Sequence, residues 1–216
     1  SEGKLKSLPS HFINVKIYIL IQIDNNSKYM GMKIGVSGNR GSFSEEAANY
    51  YCHKNKIEGY DLVYLVNVNN TLNALTKGEI DKAVFPIENS NGGIVYESVY
   101  AMSKYNFNIE NIFEIDIKMN LLVKPGIKAS EITKIVSHQQ ALKQCRMYLK
   151  RKWGDTALEE YTDTASAAKD ISEGLLPADC AAIAPRICAE LYNMELLEES
   201  IQDLKFNFTT FIAATK

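Results

Sequence analysis

Five short segments of this 216-residue chain carry side chains suited to holding a small anion. Glu88, Asn89 and Ser90 supply carboxylate, amide and hydroxyl groups directly after an apolar run, and Gly92 and Gly93 let the backbone turn and approach a bound group closely. Gly38-Asn-Arg-Gly-Ser-Phe-Ser44 has two glycines and two hydroxyls, Ser42 and Ser44, followed by Glu45 and Glu46; this predicts a helix capped by Ser44. Ser137-His-Gln-Gln-Ala141 offers Ser137 as a cap, and Tyr161-Thr-Asp-Thr-Ala-Ser166 offers Asp163 or Thr164. Each such junction leaves N–H groups unpaired at a helix start, where partial positive charge favours an anion. In Asn207-Phe-Thr-Thr-Phe211 the alternation of a strand puts Asn207, Thr209 and Phe211 on one face and Phe208 and Thr210 on the other. A buried threonine hydroxyl facing a cleft needs a partner, and a ligand can be that partner. Ordinary capping and strand propensity use the same residues, so the anion reading rests on how many such segments occur together.

The elements that must position these groups alternate between strand and helix. From Met32 onward the patterns are a strand at Lys33–Ser37, a helix from Ser44, a strand at Leu62–Val66, a helix from Asn70, and a strand at Ala83–Pro86, ended by a residue with no N–H. A helix is expected from Ile94 to Met102. The alternation continues with Ile112–Val123, Lys134–Ser137, a helix Gln139–Trp153, Glu159–Tyr161, a helix from Ala165, Cys180–Ala184, a helix to Tyr192 and a last strand Asn207–Ala213. This is an α/β chain, and its element count suggests two small lobes with a cleft between them. In such folds ligands bind where strands run into helices. The ligand inferred from the junctions is a small anion, with two carboxylates a natural fit.

Composition narrows the function classes. With 46% hydrophobic and 23% charged residues the chain reads as an ordinary globular protein, and a formal net charge of -2 supplies no basic field for nucleic acid. No apolar run is long enough to span a membrane, so a cytoplasmic protein is expected. Cys52, Cys145, Cys180 and Cys188 form no C-x-x-C pair and read as reduced core thiols. Dinucleotide and P-loop glycine patterns are absent, as are H-E-x-x-H and G-x-S-x-G, so no metal and no cofactor is expected. His138, at a loop-to-helix junction, reads as a cap before it reads as a base.

In order along the chain, these segments resemble the prephenate dehydratase family from Met32 to Thr215. Gly38-Asn-Arg-Gly-Ser-Phe-Ser-Glu-Glu-Ala-Ala48 resembles G-P-x-G-[ST]-[FY]-[ST]-x-x-A-A, and Pro86-Ile-Glu-Asn-Ser90 with Gly93 and Val95 matches P-I-E-N-S-x-x-G-x-V. Ser137-His-Gln-Gln-Ala-Leu-Lys-Gln-Cys145 is similar to S-H-P-Q-A-L-x-Q-C, and Thr164-Ala165 with Ala167-Ala168 resembles T-A-x-A-A. Ala181–Ala184, Ile201-Gln-Asp203 and Asn207-x-Thr209-x-Phe211 complete the series. The resemblance implies two α/β lobes of the type II periplasmic-binding-protein kind, a homodimer, and prephenate, a dianion, in the cleft. It also implies a cofactor-free reaction in which prephenate loses carbon dioxide and water to give phenylpyruvate in phenylalanine biosynthesis.

Carried over by motif, Thr209 is expected to assist departure of the hydroxyl. Ser42, Phe43, Glu88, Asn89, Ser90, Gly93, Ser137, Gln140, Thr164, Ala165, Asn207, Thr210 and Phe211 are expected to bind the substrate or shape its pocket. Thr210 stands where the family pattern has arginine, Arg40 is the candidate for a compensating charge, and Met119 stands where the pattern has histidine. Residues 32–216 form the expected catalytic domain, with one lobe at about 32–110 and 203–216 and the other at about 111–202. Members commonly continue into a phenylalanine-binding ACT domain, and none is expected within these 216 residues. Residues 1–31 are expected to be an extension that carries no function; its strand-like run Asn14–Asp24 would otherwise add an edge strand or cover a second subunit. Two alternatives stand beside the dehydratase: a decarboxylase that retains the hydroxyl of prephenate, and a non-catalytic module that binds small anions.

Overall fold

The computed structural model describes residues 31–216, so Asn14–Asp24 lies outside the described residues. In chain order the elements are β1 (Met32–Val36), α1 (Phe43–Lys54), β2 (Tyr60–Tyr64), α2 (Val68–Lys77), β3 (Lys82–Asn89), β4 (Gly93–Ile94), α3 (Tyr96–Met102) and β5 (Asn108–Asp116). There follow β6 (Asn120–Val123), a 3-10 turn at Ala129–Glu131, β7 (Lys134–Ser137), α4 (Gln139–Gln144), α5 (Arg146–Lys152) and β8 (Ala157–Glu160). The chain ends with α6 (Thr164–Ser172), β9 (Cys180–Ala184), α7 (Ile187–Leu191), β10 (Glu195–Glu198) and β11 (Phe208–Thr215).

Two sheets result, one per lobe. The first has the order β2-β1-β3-β11-β5 with β4 hairpinned onto β3, and the second has the order β10-β6-β9-β7-β8. This is the two-lobed α/β fold that the resemblance implies. The last strand returns to the first lobe and lies antiparallel between β3 and β5. Because β5 pairs with β11 along Asn108–Asp116, the first lobe runs to Asp116, beyond the expected limit near residue 110. One apolar cluster crosses between the lobes: Phe113, Ile115, Ile117 and Met119 join Ile34, Val36 and Phe211 on one side to Leu121, Ile135 and Ile183 on the other. Met119 is thus buried at the crossover, 5% exposed, where it belongs to this cluster and also lines the space between the lobes.

Several sequence expectations are corrected by pairing that is distant in the chain. Pro86 does not end β3; the strand runs on to Asn89, because the register shifts between Thr210 and Phe211 opposite Pro86, and a bulge there spares the ladder an N–H. The turn after Asn89 is a β3–β4 hairpin, and α3 starts only at Tyr96 with no side-chain cap. The helix expected over Gln139–Trp153 is divided at Cys145, where the Asp203 carboxylate accepts the N–H groups of Met147 (2.7 Å) and Tyr148 (2.8 Å) at the start of α5. Edge strand β10 was not expected, since Glu195-Leu-Leu-Glu198 has no strand-like alternation.

The caps also differ in detail. Ser42 caps α1, its Oγ accepting from Glu45 N at 3.3 Å, whereas Ser44 lies buried inside the first turn and donates to Ser37 O. His138 caps α4 through Nδ1, and Ser137 is fully buried, donating to Ile183 O at 2.6 Å. Of the two candidates for the cap of α6, Asp163 takes the role and Thr164 is the first residue of the helix. Replacing Ser42 with alanine is expected to cost about 1 kcal/mol, readable as a fall of about 2 to 4 °C in Tm.

All four cysteines are free and buried. Burial pushes the Cys52 thiol up to about 11 and those of Cys145 and Cys188 up to about 12, so they pack as small apolar groups and stay protonated at neutral pH. Among the described residues no helix is long and apolar enough to cross a membrane, and no group of His, Cys, Asp or Glu is placed to hold a metal.

Candidate active site

The segments singled out in the sequence converge on one cleft between the lobes, with a volume of about 810 Å³. The first lobe contributes Ser37 to Asn39 and Ser42 to Ser44 from the β1–α1 junction, then Asn89, Gly92 and Gly93 from the hairpin, and Thr209 and Phe211 from β11. Across from them the second lobe contributes His138 and Gln140 from α4, and Asp163 and Thr164 from the start of α6. A space of this size suits a small organic ligand. Among the described residues lining it there is no lysine or arginine, so an anion there would rely on N–H groups, amides and hydroxyls.

At the centre is a network of amides. The Asn89 side-chain N–H group donates to Asn207 Oδ1 (2.9 Å), to Thr209 Oγ1 (2.8 Å) and to Phe208 O (3.2 Å). On its other side Asn89 Oδ1 accepts from Gly92 N (2.7 Å), Asn91 N (3.0 Å) and Gln144 Nε2 (3.0 Å). Gln144 Oε1 in turn accepts from Asn207 Nδ2 at 2.9 Å. With donors on one side and acceptors on the other, the orientation of the Asn89 amide is determined by its neighbours.

The consequence falls on Thr209, which is 8% exposed and lines the cleft. Its Oγ1 accepts from Asn89, and no acceptor among the described residues takes its proton. The hydroxyl is therefore held by its acceptor side with its donor side available to a ligand. A donor fixed in this way, in a partly dehydrated cleft, can stabilise negative charge developing on a departing oxygen.

The remaining expected residues sort by position. Ser42, Phe43, Asn89, Gly93, Gln140, Thr164, Thr209 and Phe211 line the cleft. Asn207 stands behind it, fully buried, as a brace for Asn89 and Gln144. Ser90 is also a brace, its Oγ accepting from Phe208 N at 3.0 Å. Glu88 is exposed and outside the lining, and Ser137 and Ala165 are core residues. Thr210 points away from Thr209, as strand alternation requires, and donates to Glu114 Oε1 at 3.3 Å outside the cleft. Arg40 is exposed, and its side chain is not part of the lining.

Gln144, Asn39 and Asp163 were not among the site residues expected from the sequence. Gln144 occupies a polar position one turn along α4 from Gln140, a spacing that puts both on one helix face. That spacing was a usable signal for the face but none for its partners, Asn89 and Asn207.

Residues 34–216 match the family described as Prephenate dehydratase. The chain is 35% identical over 181 residues to the prephenate dehydratase of Lactococcus lactis subsp. cremoris (strain MG1363), covering 83% of this chain and 62% of that one. It is 36% identical over 132 residues to arogenate dehydratase 1 of Petunia hybrida, covering 61% of this chain and 31% of that one. The chain thus spans about a third of the plant relative's length. Among solved structures, the prephenate dehydratase of Arthrobacter aurescens in complex with L-Phe superposes with a TM-score of 0.77 at 27% identity, covering 86% of this chain and 60% of that one. The match across both lobes, with Thr209 and Asn89 meeting in the cleft between them, assigns this chain to the prephenate dehydratase family.

Proposed function

We propose that this chain converts prephenate to phenylpyruvate, binding the dianion in the cleft between its lobes and using Thr209 to assist departure of the hydroxyl. The observation that carries the reading is the Thr209 hydroxyl, held as an acceptor by Asn89 with its proton free toward the cleft. In the reaction the bond from the ring to its carboxylate breaks to release carbon dioxide. The electron pair passes through the ring, and the C–OH bond at the opposite carbon breaks. The dianion and one proton give phenylpyruvate, carbon dioxide and water. Thr209 donates to the departing oxygen, and the proton that completes the water comes from solvent through that hydroxyl. Aromatisation supplies the driving force, so the protein's task is to orient the dianion and stabilise the leaving oxygen.

In this reading Ser42, Phe43, Gln140 and Thr164 hold or shape the substrate from the two helix starts, Gly93 and Phe211 shape the pocket, and Asn207 and Ser90 support the network behind it. Product analysis after incubation with prephenate tests it. Phenylpyruvate, read by its absorbance in alkali, is expected. Carbon dioxide released without phenylpyruvate would establish the decarboxylase instead, and prephenate recovered intact with a raised Tm would establish a binding module. L-Arogenate belongs in the same assay, because relatives carry its name and its product, phenylalanine, is separately measurable.

The proposal extends to a homodimer in the cytoplasm. Support for the dimer is the outer edge of the first sheet, where Ile109 and Ile112 of β5 are 49% and 59% exposed. Sedimentation equilibrium is expected to return twice the 24.2 kDa of the chain, and a single-chain mass would exclude it.

A further inference from the structure

The β1–α1 loop does more than open a helix. Three consecutive residues of this first-lobe loop bond to the second lobe. Asn39 Nδ2 donates to Asp163 Oδ2 at 2.8 Å and to Ser166 Oγ at 3.2 Å. The next carbonyl, Arg40 O, accepts from Tyr192 Oη at 2.6 Å, and Gly41 O accepts from Cys188 Sγ at 3.3 Å. Gly41 has φ +85°, and a Cβ there would come within 2.9 Å of Cys188 Sγ, so loop and second lobe are in close contact. The loop is anchored on its own side as well, since Gly41 N donates to Glu45 and Ser42 N to Asn39 O. Burial keeps the Tyr192 phenol protonated, its pKa pushed up to about 12, so it remains a donor.

These bonds join the loop that opens α1 to the cap of α6, and both line the cleft. The opposite wall has its own crossing, Gln144 to Asn89 and Asn207. The first set shares no residue with the Thr209 network, so breaking it leaves the bonds of that network in place. We infer that Asn39 is a positioning residue: its bond to Asp163 clasps the lobes together and sets the width of the substrate cleft. The inference rests on the cleft being the substrate site proposed above.

Two measurements test it, one of them independent of turnover. Losing a hydrogen bond to a carboxylate is expected to raise KM about 10-fold in Asn39→Ala and more in Asn39→Asp, where two carboxylates face each other, with kcat changed by less than about threefold. The exchange Asn39→Asp with Asp163→Asn reverses donor and acceptor, keeps a helix cap, and is expected to bring KM back to within about threefold of the parent. Spin labels at Glu58→Cys and Leu175→Cys, exposed positions on the two lobes, are expected to report a longer or broader distance distribution in Asn39→Asp and the parental one in the exchange. Unchanged label distances and KM in both single variants overturn the clasp. Absence of turnover in the parent overturns the proposed function, and the label distances then still decide the clasp.

Discussion

Replacing Thr209 with valine is expected to lower kcat for prephenate by about two to four orders of magnitude while KM stays within about threefold, the range spanned by loss of a positioned proton donor. Valine keeps the shape and β-branching of threonine and removes the hydroxyl, so the strand is retained. The backbone of β11 is pinned on both sides, pairing Thr209 with Asn89 of β3 and with Ile115 of β5. What disappears is the free O–H aimed into the cleft and the acceptor for Asn89 Nδ2. Asn89 still has Asn207 Oδ1 and Phe208 O, so the stability cost stays near that of one hydrogen bond, about 1 kcal/mol. Thr209→Ser keeps the hydroxyl and is expected to retain most of the activity. A valine variant with parental kcat would remove Thr209 from the mechanism.

Changing Asn89 is expected to have the second largest effect, on both activity and stability. Asn89→Ala removes the donor that orients Thr209 and the acceptor for three N–H groups, two in the hairpin backbone and one from Gln144 of the other lobe. Losses of about two to three orders of magnitude in kcat and about 1 to 3 kcal/mol in stability are expected, with the partial exposure of the site letting water replace part of what is lost. Asn89→Asp separates the two roles. Its carboxylate can still accept from Gly92 N and Asn91 N but cannot donate to Thr209, Asn207 or Phe208 O, so the turn is kept and activity is lost. As pH falls and the introduced carboxyl takes up a proton, one donor returns. The activity of Asn89→Asp relative to Asn89→Ala should therefore rise toward acid pH, and a flat ratio from pH 8 to pH 5 would show that donation from this position is not what Thr209 needs.

The two predictions share one structural fact, that the Thr209 hydroxyl is held by a network with groups from both lobes. Thr209 and Asn207 come from β11, Asn89 from the end of β3, and Gln144 from α4 across the cleft. An exposed hydroxyl has three rotamers and water to bond to. This one has its acceptor side occupied, and that restricts where its proton can go. The family arginine's position does not enter this arrangement, since Thr210 bonds to Glu114 on the far face of the strand.

How much was legible in the amino-acid sequence follows the range of each interaction. Strands β7 and β9 were read with their observed limits, because short apolar runs between polar boundaries encode a buried strand locally. The Asp163 cap was visible for the same reason, as an acceptor three residues before the N–H it binds. Strand alternation put Thr209 and Thr210 on opposite faces, and burial agrees, but the expectation that Thr210 also meets the substrate is corrected, because its hydroxyl bonds to Glu114 outside the cleft. Where a neighbour distant in the chain intervened, local reading failed. Ser137 has the chemistry of a cap, yet Ile183 O lies against its hydroxyl and His138 takes the capping role. Periodicity ran straight through Cys145, while Asp203 arrived from 56 residues away to satisfy the amide of Met147.

By itself, then, the order of residues determined most of the strands and helices, the buried faces of those elements, and which segments carry groups fit for an anion. Those properties depend on spacings of two to four residues, and the chain's own stereochemistry enforces them. Only the tertiary structure decided which of these groups meet. Asn89 and Thr209 are 120 residues apart, and Asn39 and Asp163 are 124 apart. Their contact depends on the last strand returning to the first sheet and on the two lobes closing over one cleft. Pairing of that kind is selected by burial and hydrogen-bond satisfaction summed over the whole fold, and no window of sequence contains both partners.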